Sequence, residues 1–351
     1  PMAKYSDIKG FTVQTLSTDT VASQVAGGAW ASGGALNTAR RGLGGDGTQT
    51  AAWVVGGYTG SPSATHEHYN GSSWTEVADI NSARYSGSGM GTTTAAIFAA
   101  GQPSPTINLN ESWNGSSWTE VGDLNASKNY RAGAGTSTAA IVAGGQPPIS
   151  TNAETWDGSS WTEVGDLNTA RFGLAGAGTN PSSLAIGGIT PGGAATNTES
   201  WNGSAWTELN DLNSGRYGYL AAAGNVSLAL AFGGGGANAP ASYAQTESWD
   251  GTSWTEVNDL STARGELAGA SSGTSSLTLA AGGGTPSPGY SSLTEEFTAP
   301  SEFNQIQEGQ LFFNSTANAF KETILDTPSG TWASAPALNS QRESWAGVSG
   351  P

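Results

Sequence analysis

A cassette of about 44 residues recurs along this chain and constrains its fold more than any other feature. The copies read ESWNGSSWTEVGDLN (111–125), ETWDGSSWTEVGDLN (154–168), ESWNGSAWTELNDLN (199–213) and ESWDGTSWTEVNDLS (247–261). A fifth, EHYNGSSWTEVADIN (67–81), carries Tyr69 in place of the first Trp. The second aromatic falls at Trp74, Trp118, Trp161, Trp206 and Trp254, giving spacings of 44, 43, 45 and 48 residues. A period of this length implies stacked or circularly arranged supersecondary units, each too small to bury its own apolar face.

Composition narrows the function classes. The 351 residues include 52 Gly, but these sit at fixed repeat positions and so mark turns and close approaches, not low complexity. A net charge of −16 argues against nucleic acid, since no basic stripe is present to neutralise phosphates. It is equally unfavourable for anionic membranes. With no cysteine, disulfides, thiolate metal sites and a Cys nucleophile are excluded. No apolar run reaches spanning length, so membrane insertion is not expected. The opening PMAKYSDIKGF lacks the apolar core of a signal peptide, and the expectation is synthesis in a cytoplasm.

One unit, Arg171 to Ser214, shows how the cassette builds structure. RFGLAGAG (171–178) is small and Gly-rich, suited to an inner strand where backbones crowd together. SLAIGG (183–188) reads as a buried strand stopped by paired glycines, and a variable loop follows. NTESW (197–201) and WTELNDL (206–212) flank an Asn202-Gly203 turn. Asn-Gly or Asp-Gly recurs at 70–71, 114–115, 157–158 and 250–251, a dipeptide that tolerates the positive φ of hairpin turns. Four short strands per unit, arranged radially, predict an all-β propeller.

The order of motifs resembles the kelch and galactose-oxidase type of propeller over roughly residues 30–300. It runs from an Arg to an apolar strand ending in Gly-Gly (56–57, 144–145, 187–188, 233–234, 282–283), then to an aromatic and a Trp before the next Arg. That resemblance implies a kelch-like β-propeller of four-stranded blades. Partial cassettes at both ends, AWASGGALNTAR (29–40) and TWASAPALNSQR (331–342), leave the closure open. Six blades closed by the N-terminal copy is the preferred reading. Seven is the alternative, with the two termini together building the last blade.

Cations are scarce enough for their placement to inform. Seven of the 12 share one repeat position: Arg40, Arg84, Lys128, Arg171, Arg216, Arg264 and Arg342. A Glu stands two places before each early aromatic: Glu67, Glu111, Glu154, Glu199, Glu247 and Glu295. Matching recurrence of both signs favours ion pairs that staple blades over a ring of anion-binding guanidinium groups. Trp74, Trp118, Trp161, Trp206 and Trp254 are likewise expected to be packing between sheets, not sugar platforms.

Catalytic signals are weak. His66 and His68 share a strand face, but the repeat supplies no further ligand, and no metal or cofactor is expected. Copper-radical chemistry of the galactose-oxidase kind is excluded by the missing cysteine. Glu76/Asp79, Glu120/Asp123 and Glu163/Asp166 are copied from blade to blade and read as solvated outer positions, whereas catalytic acids should be singular. Function is expected instead in the variable loops after Gly-Gly: 58–66, 102–110, 146–153, 189–198, 235–246 and 285–293.

Three segments follow: an N-terminal attachment segment (1–28), the propeller (29–300), and a C-terminal extension (301–351) holding a β-hairpin around STAN and a partial repeat. GQLFFNSTANAFK (309–321) and KYSDIKGFTVQTLSTDT (4–20) resemble segments of marine cyanophage virion proteins and tail fibres. The resemblance implies a phage virion structural protein, non-catalytic, serving adhesion or assembly on a tail fibre or capsid appendage. Its expected partners are other virion proteins, a host-surface glycan, and further copies in a homo-oligomeric assembly. The alternative is a carbohydrate-active propeller enzyme.

Overall fold

The computed structural model describes residues 28–299, apart from 104–106, 217, 236–241 and 286–288, together with the backbone of 311–314 and 319–322. No helix occurs among the described residues. Residues 28–299 form six four-stranded antiparallel sheets arranged as a β-propeller, with neighbouring innermost strands in contact around a closed ring. Blade 1 is representative: Gly44–Thr48 innermost, then Ala51–Val55, His66–Tyr69 and Trp74–Glu76 in spatial order.

Each strand's composition follows from its place in the blade. The second strands Ala96–Ala99, Ala140–Ala143 and Ala229–Phe232 are buried at every residue, and the other three at all but their first, because neighbours cover both faces. They therefore read as continuous apolar runs and not as alternation. The outer strands of blades 1 to 5 begin with a buried Trp and turn to exposed Thr and Glu, as in Trp161–Glu163. The innermost strands are small because they approach backbone to backbone. A Cβ on Gly176 would lie 2.3 Å from the carbonyl oxygen of Gly133 in the preceding blade, so only glycine fits there.

Ring closure comes from the N-terminal side. Ala29–Ser32 pairs antiparallel with Thr294–Thr298, placing Trp30 opposite Phe297, and completes the sheet begun by Ala268–Gly269 and Leu277–Ala281. Six blades result. The second partial copy, 331–342 with Arg342, lies outside the described residues, as does the N-terminal segment 1–27.

Paired aromatics join the blades. Trp156 and Trp161 face each other across the third and outer strands of blade 3, with ring centroids 5.4 Å apart, and blades 2, 4 and 5 repeat this pair at 5.3 to 5.5 Å. Each pair packs on the second strand of the blade before it: Trp201 and Trp206 meet Ile141, and Trp249 and Trp254 meet Leu184 and Ile186. A buried ring of this kind removes roughly 150–250 Å² from water, which makes these contacts the main apolar glue of the ring.

The C-terminal unit, 300–351, contains a hairpin of Leu311–Asn314 and Ala319–Glu322, with Phe313 opposite Phe320.

Candidate functional site

The repeated charges lie inside the blades. Arg40–Glu67, Arg84–Glu111, Arg171–Glu199, Arg216–Glu247 and Arg264–Glu295 are buried ion pairs, each linking the chain entering a blade to that blade's third strand. The second carboxylate oxygen is also occupied. Asn168 donates its backbone N–H (2.7 Å) and its Nδ2 (2.8 Å) to Glu199 Oε2, and Asn37, Asn81, Asn125 and Asn213 do the same in their blades. In blade 6 Ser261 supplies only its backbone N–H, at 2.7 Å. The asparagine of the DLN triplet was visible in the sequence as a repeat, but its task depends on the carboxylate 29 to 34 residues further on.

Blade 3 departs from the pattern. Lys128 occupies the repeat position, yet its ammonium remains partly exposed and reaches only the Pro147 carbonyl, at 3.5 Å. The partner of Glu154 is Arg131, three residues later, at 2.8 Å. Arg131 also donates to the Asn152 side chain (2.7 Å) and carbonyl (3.2 Å). The cause lies in the head groups: a guanidinium offers five donors in a planar fork and dehydrates more readily than a compact ammonium. Burial, and then the Arg131 charge, hold the Lys128 ammonium below its ordinary value.

The turn acids are also architectural. Asp157 Oδ1 accepts the N–H groups of Ser159 and Ser160, both at 2.8 Å, and Asn70, Asn114, Asn202 and Asp250 repeat this in their own four-residue turns. Only the glycine of each dipeptide is left-handed, with φ of 91 to 96°. Asn and Asp interchange because both supply the accepting oxygen.

His66 takes part in a seam contact. Its Nδ1 lies 3.0 Å from the indole N–H of Trp118 in blade 2 and must accept that bond, leaving its Nε2 proton to His68 Nε2 at 3.1 Å. Thr294, Thr198 and Thr246 receive the indole N–H of Trp74, Trp254 and Trp30 in the same way. Burial, and then the charge of His68, push His66 down to about 3. Glu76, Asp79, Glu120, Asp123, Glu163 and Asp166 are exposed.

Singular chemistry collects at one mouth of the central channel. Gly42, Ser86, Tyr130, Gly173, Tyr219 and Glu266, one from each blade, close a ring of backbone hydrogen bonds, each N–H donating to the preceding member's carbonyl at 2.5 to 3.0 Å. All six are left-handed, with φ between 53 and 64°. Glycine adopts this conformation freely, whereas Ser86, Tyr130, Tyr219 and Glu266 pay a conformational cost of about 1–2 kcal/mol each. Residues just before the ring bridge to the first residue of the loops after Gly-Gly: Arg41 to Tyr58, Tyr85 to Gln102, Phe172 to Ile189. The mouth and those variable loops therefore share one face.

Side chains converge there. Tyr130 and Tyr219 approach to 4.7 Å between ring centroids, with Phe172 at 6.4 and 6.1 Å. Glu266 Oε1 pairs with Arg41 at 2.7 Å, while Glu266 Oε2 is buried without a hydrogen-bond partner. The Arg41 guanidinium lies 5.3 Å from the ring of Tyr58. A cavity of about 100 Å³ opens among Ser86, Tyr130, Arg131, Tyr219 and Glu266. Burial pushes the Glu266 carboxyl up, and Arg41 only partly offsets this. Burial likewise pushes the Tyr130 phenol up to about 12, so it stays a neutral donor.

Sequence reading did not single out these residues. The available signal was variation at a fixed place: two residues after each repeat cation, or three in blade 5, stand Gly, Ser, Tyr, Gly, Tyr and Glu in turn. A second singular acid is Asp46, in the innermost strand of blade 1, where the other blades carry Met90 or Ala. It accepts N–H bonds from Gly47, Gly91 and Ser272 and hydroxyl bonds from Ser271 and Ser272, at 2.6 to 2.9 Å, and so clasps blades 6, 1 and 2. Burial pushes it up to about 6 despite these five donors.

With this geometry in hand, comparison with known proteins adds no family: no protein-family model matches the chain, and no curated protein matches it.

Proposed function

We propose that the chain is a non-catalytic recognition module, a kelch-like propeller serving attachment or assembly on a phage virion, as a tail-fibre or capsid-appendage protein. One observation carries this reading. The repeated charges and aromatics are consumed in building blades, while the unrepeated Arg41, Tyr130, Tyr219 and Glu266 gather on the face that also bears the variable loops. A rigid scaffold presenting one variable face is the usual arrangement of a binding protein. The flanking segments' resemblance to phage appendage proteins supplies the setting, with a host-surface glycan or a neighbouring virion protein as the contact. Gold-labelled antibody on purified particles tests this: decoration of the tail or capsid is expected, and absence of the chain from particles overturns it.

A carbohydrate-active enzyme is the second reading, favoured by Glu266, which is singular, buried and part of the lining of the mouth cavity. Glycoside hydrolysis uses two carboxyl groups about 5–9.5 Å apart, and the charged group paired with Glu266 is an arginine. Turnover of algal or bacterial polysaccharides by the purified chain would establish the enzyme reading over the binding one.

A further inference from the structure

Among the described residues, Glu266 Oε2 is the only buried carboxylate oxygen without a hydrogen-bond partner. Leaving such an acceptor unpaired is costly, and the six staple glutamates show that this chain otherwise fills both oxygens. The sequence also places Ser, Tyr, Tyr and Glu at ring positions where Gly42 and Gly173 adopt the same left-handed backbone without strain. Strained residues gathered around an unsatisfied acceptor point to a ligand that supplies the missing donor.

Charge selects the ligand class. Glu266 is already neutralised by Arg41, so an ammonium group would add a second cation beside that guanidinium, and an anion would face the free carboxylate oxygen. A neutral hydroxyl donor meets neither penalty. The neighbouring surfaces are the rings of Tyr130 and Tyr219, which suit the C–H face of a polyol, and about 100 Å³ admits the edge of one sugar ring but no longer chain.

We propose that the channel mouth between Tyr130, Tyr219 and Glu266 binds the edge of one neutral sugar residue, with a ligand hydroxyl donating to Glu266 Oε2. This assignment rests on the recognition reading above and names its site and ligand class.

Ligand-observed NMR on the full chain, with methyl glycosides of glucose, galactose, mannose and rhamnose as probes, tests it against methylammonium and acetate. At least one glycoside should bind in preference to both ions, and Glu266→Gln should weaken it about tenfold, the loss of one charge-assisted hydrogen bond. In wild type, shifts of the Tyr130 and Tyr219 ring signals on titration locate the site whether or not the variant folds. Preference for either ion, no glycoside binding, a glycoside affinity untouched by Glu266→Gln in a folded variant, or shifts that spare both tyrosines overturns the assignment. Adsorption of the chain to host cells, measured separately, keeps the two proposals apart. Adsorption unchanged by Glu266→Gln with no glycoside at the mouth removes the site and spares the recognition reading. Glycoside binding by a chain absent from virions does the reverse.

Discussion

Seven arginine–glutamate pairs occur among the described residues, and the six that are fully buried differ in kind from the seventh, whose arginine is partly exposed. In the six staples each carboxylate has both oxygens occupied, one by Arg and one by the Asn or Ser that enters the same blade. In the Arg41–Glu266 pair one oxygen is buried without a hydrogen-bond partner, and its residue lines a cavity and stands on strained backbone. The same two side chains thus serve opposite ends. A fully satisfied pair fixes geometry and has nothing left to offer a ligand. The incompletely satisfied one keeps binding capacity in reserve, at a cost in stability.

The largest test of this contrast removes a staple. Arg171→Met strands Glu199 in the blade interior and should cost about 3–5 kcal/mol, read from the urea midpoint. Unchanged stability together with lost ligand binding would reverse the structural assignment. Within blade 3, Arg131→Leu should match that loss, whereas Lys128→Met should change stability by less than about 0.5 kcal/mol. Equal effects would mean that the lysine carries the staple after all.

The blade 1–blade 2 seam gives a smaller, pH-dependent effect. His66 is neutral when folded, down to about 3, but in the unfolded chain it takes a proton below its ordinary value of 6.5. Its contribution is therefore fully present above pH 6.5 and is lost as pH falls toward 3. The slope is at most about 1.4 kcal/mol per pH unit. His66→Asn, the residue blade 2 carries at Asn110, should remove this slope. A wild-type minus variant difference that stays flat from pH 6.5 to 4 would refute the Trp118–His66 contact. Asp46, raised to about 6, runs the other way between 3.8 and 6, and subtracting the variant cancels it.

A small change in stability is also expected at the mouth. Glu266→Gln keeps the shape and removes a carboxylate whose burial is only partly offset by Arg41, so its stability should stay within about 1 kcal/mol of wild type. A loss as large as that of Arg171→Met would make Glu266 a seventh staple and end the comparison.

How far the sequence could be read follows the same division. Strand order, the apolar second strands and the small inner strands were legible because each copy repeats the same instruction, and local patterning suffices to state it, whereas the sequence only favoured six blades over seven. The acceptor role of the turn Asn and Asp was only half legible. Positive φ belongs to the glycine alone, and the side chain caps the turn. Lys128 misled because register predicts which position carries a charge but not which head group can be dehydrated there. Arg131, from a position where blades 1 and 4 to 6 carry Leu, reaches the same carboxylate by folding back.

By itself, then, the sequence determined the unit: four strands, a turn, an aromatic pair and two charges, each specified within one cassette by neighbours in the chain. The tertiary structure decided what no single cassette contains. Gly42, Ser86, Tyr130, Gly173, Tyr219 and Glu266 lie 43 to 47 residues apart in the chain, and only closure of the ring brings them to one axis. Asp46 likewise finds its donors in blades at opposite ends of the chain. Both arrangements depend on distances through space that periodicity along the chain does not encode, because a repeat specifies how each blade is made and the ring specifies which unlike residues meet.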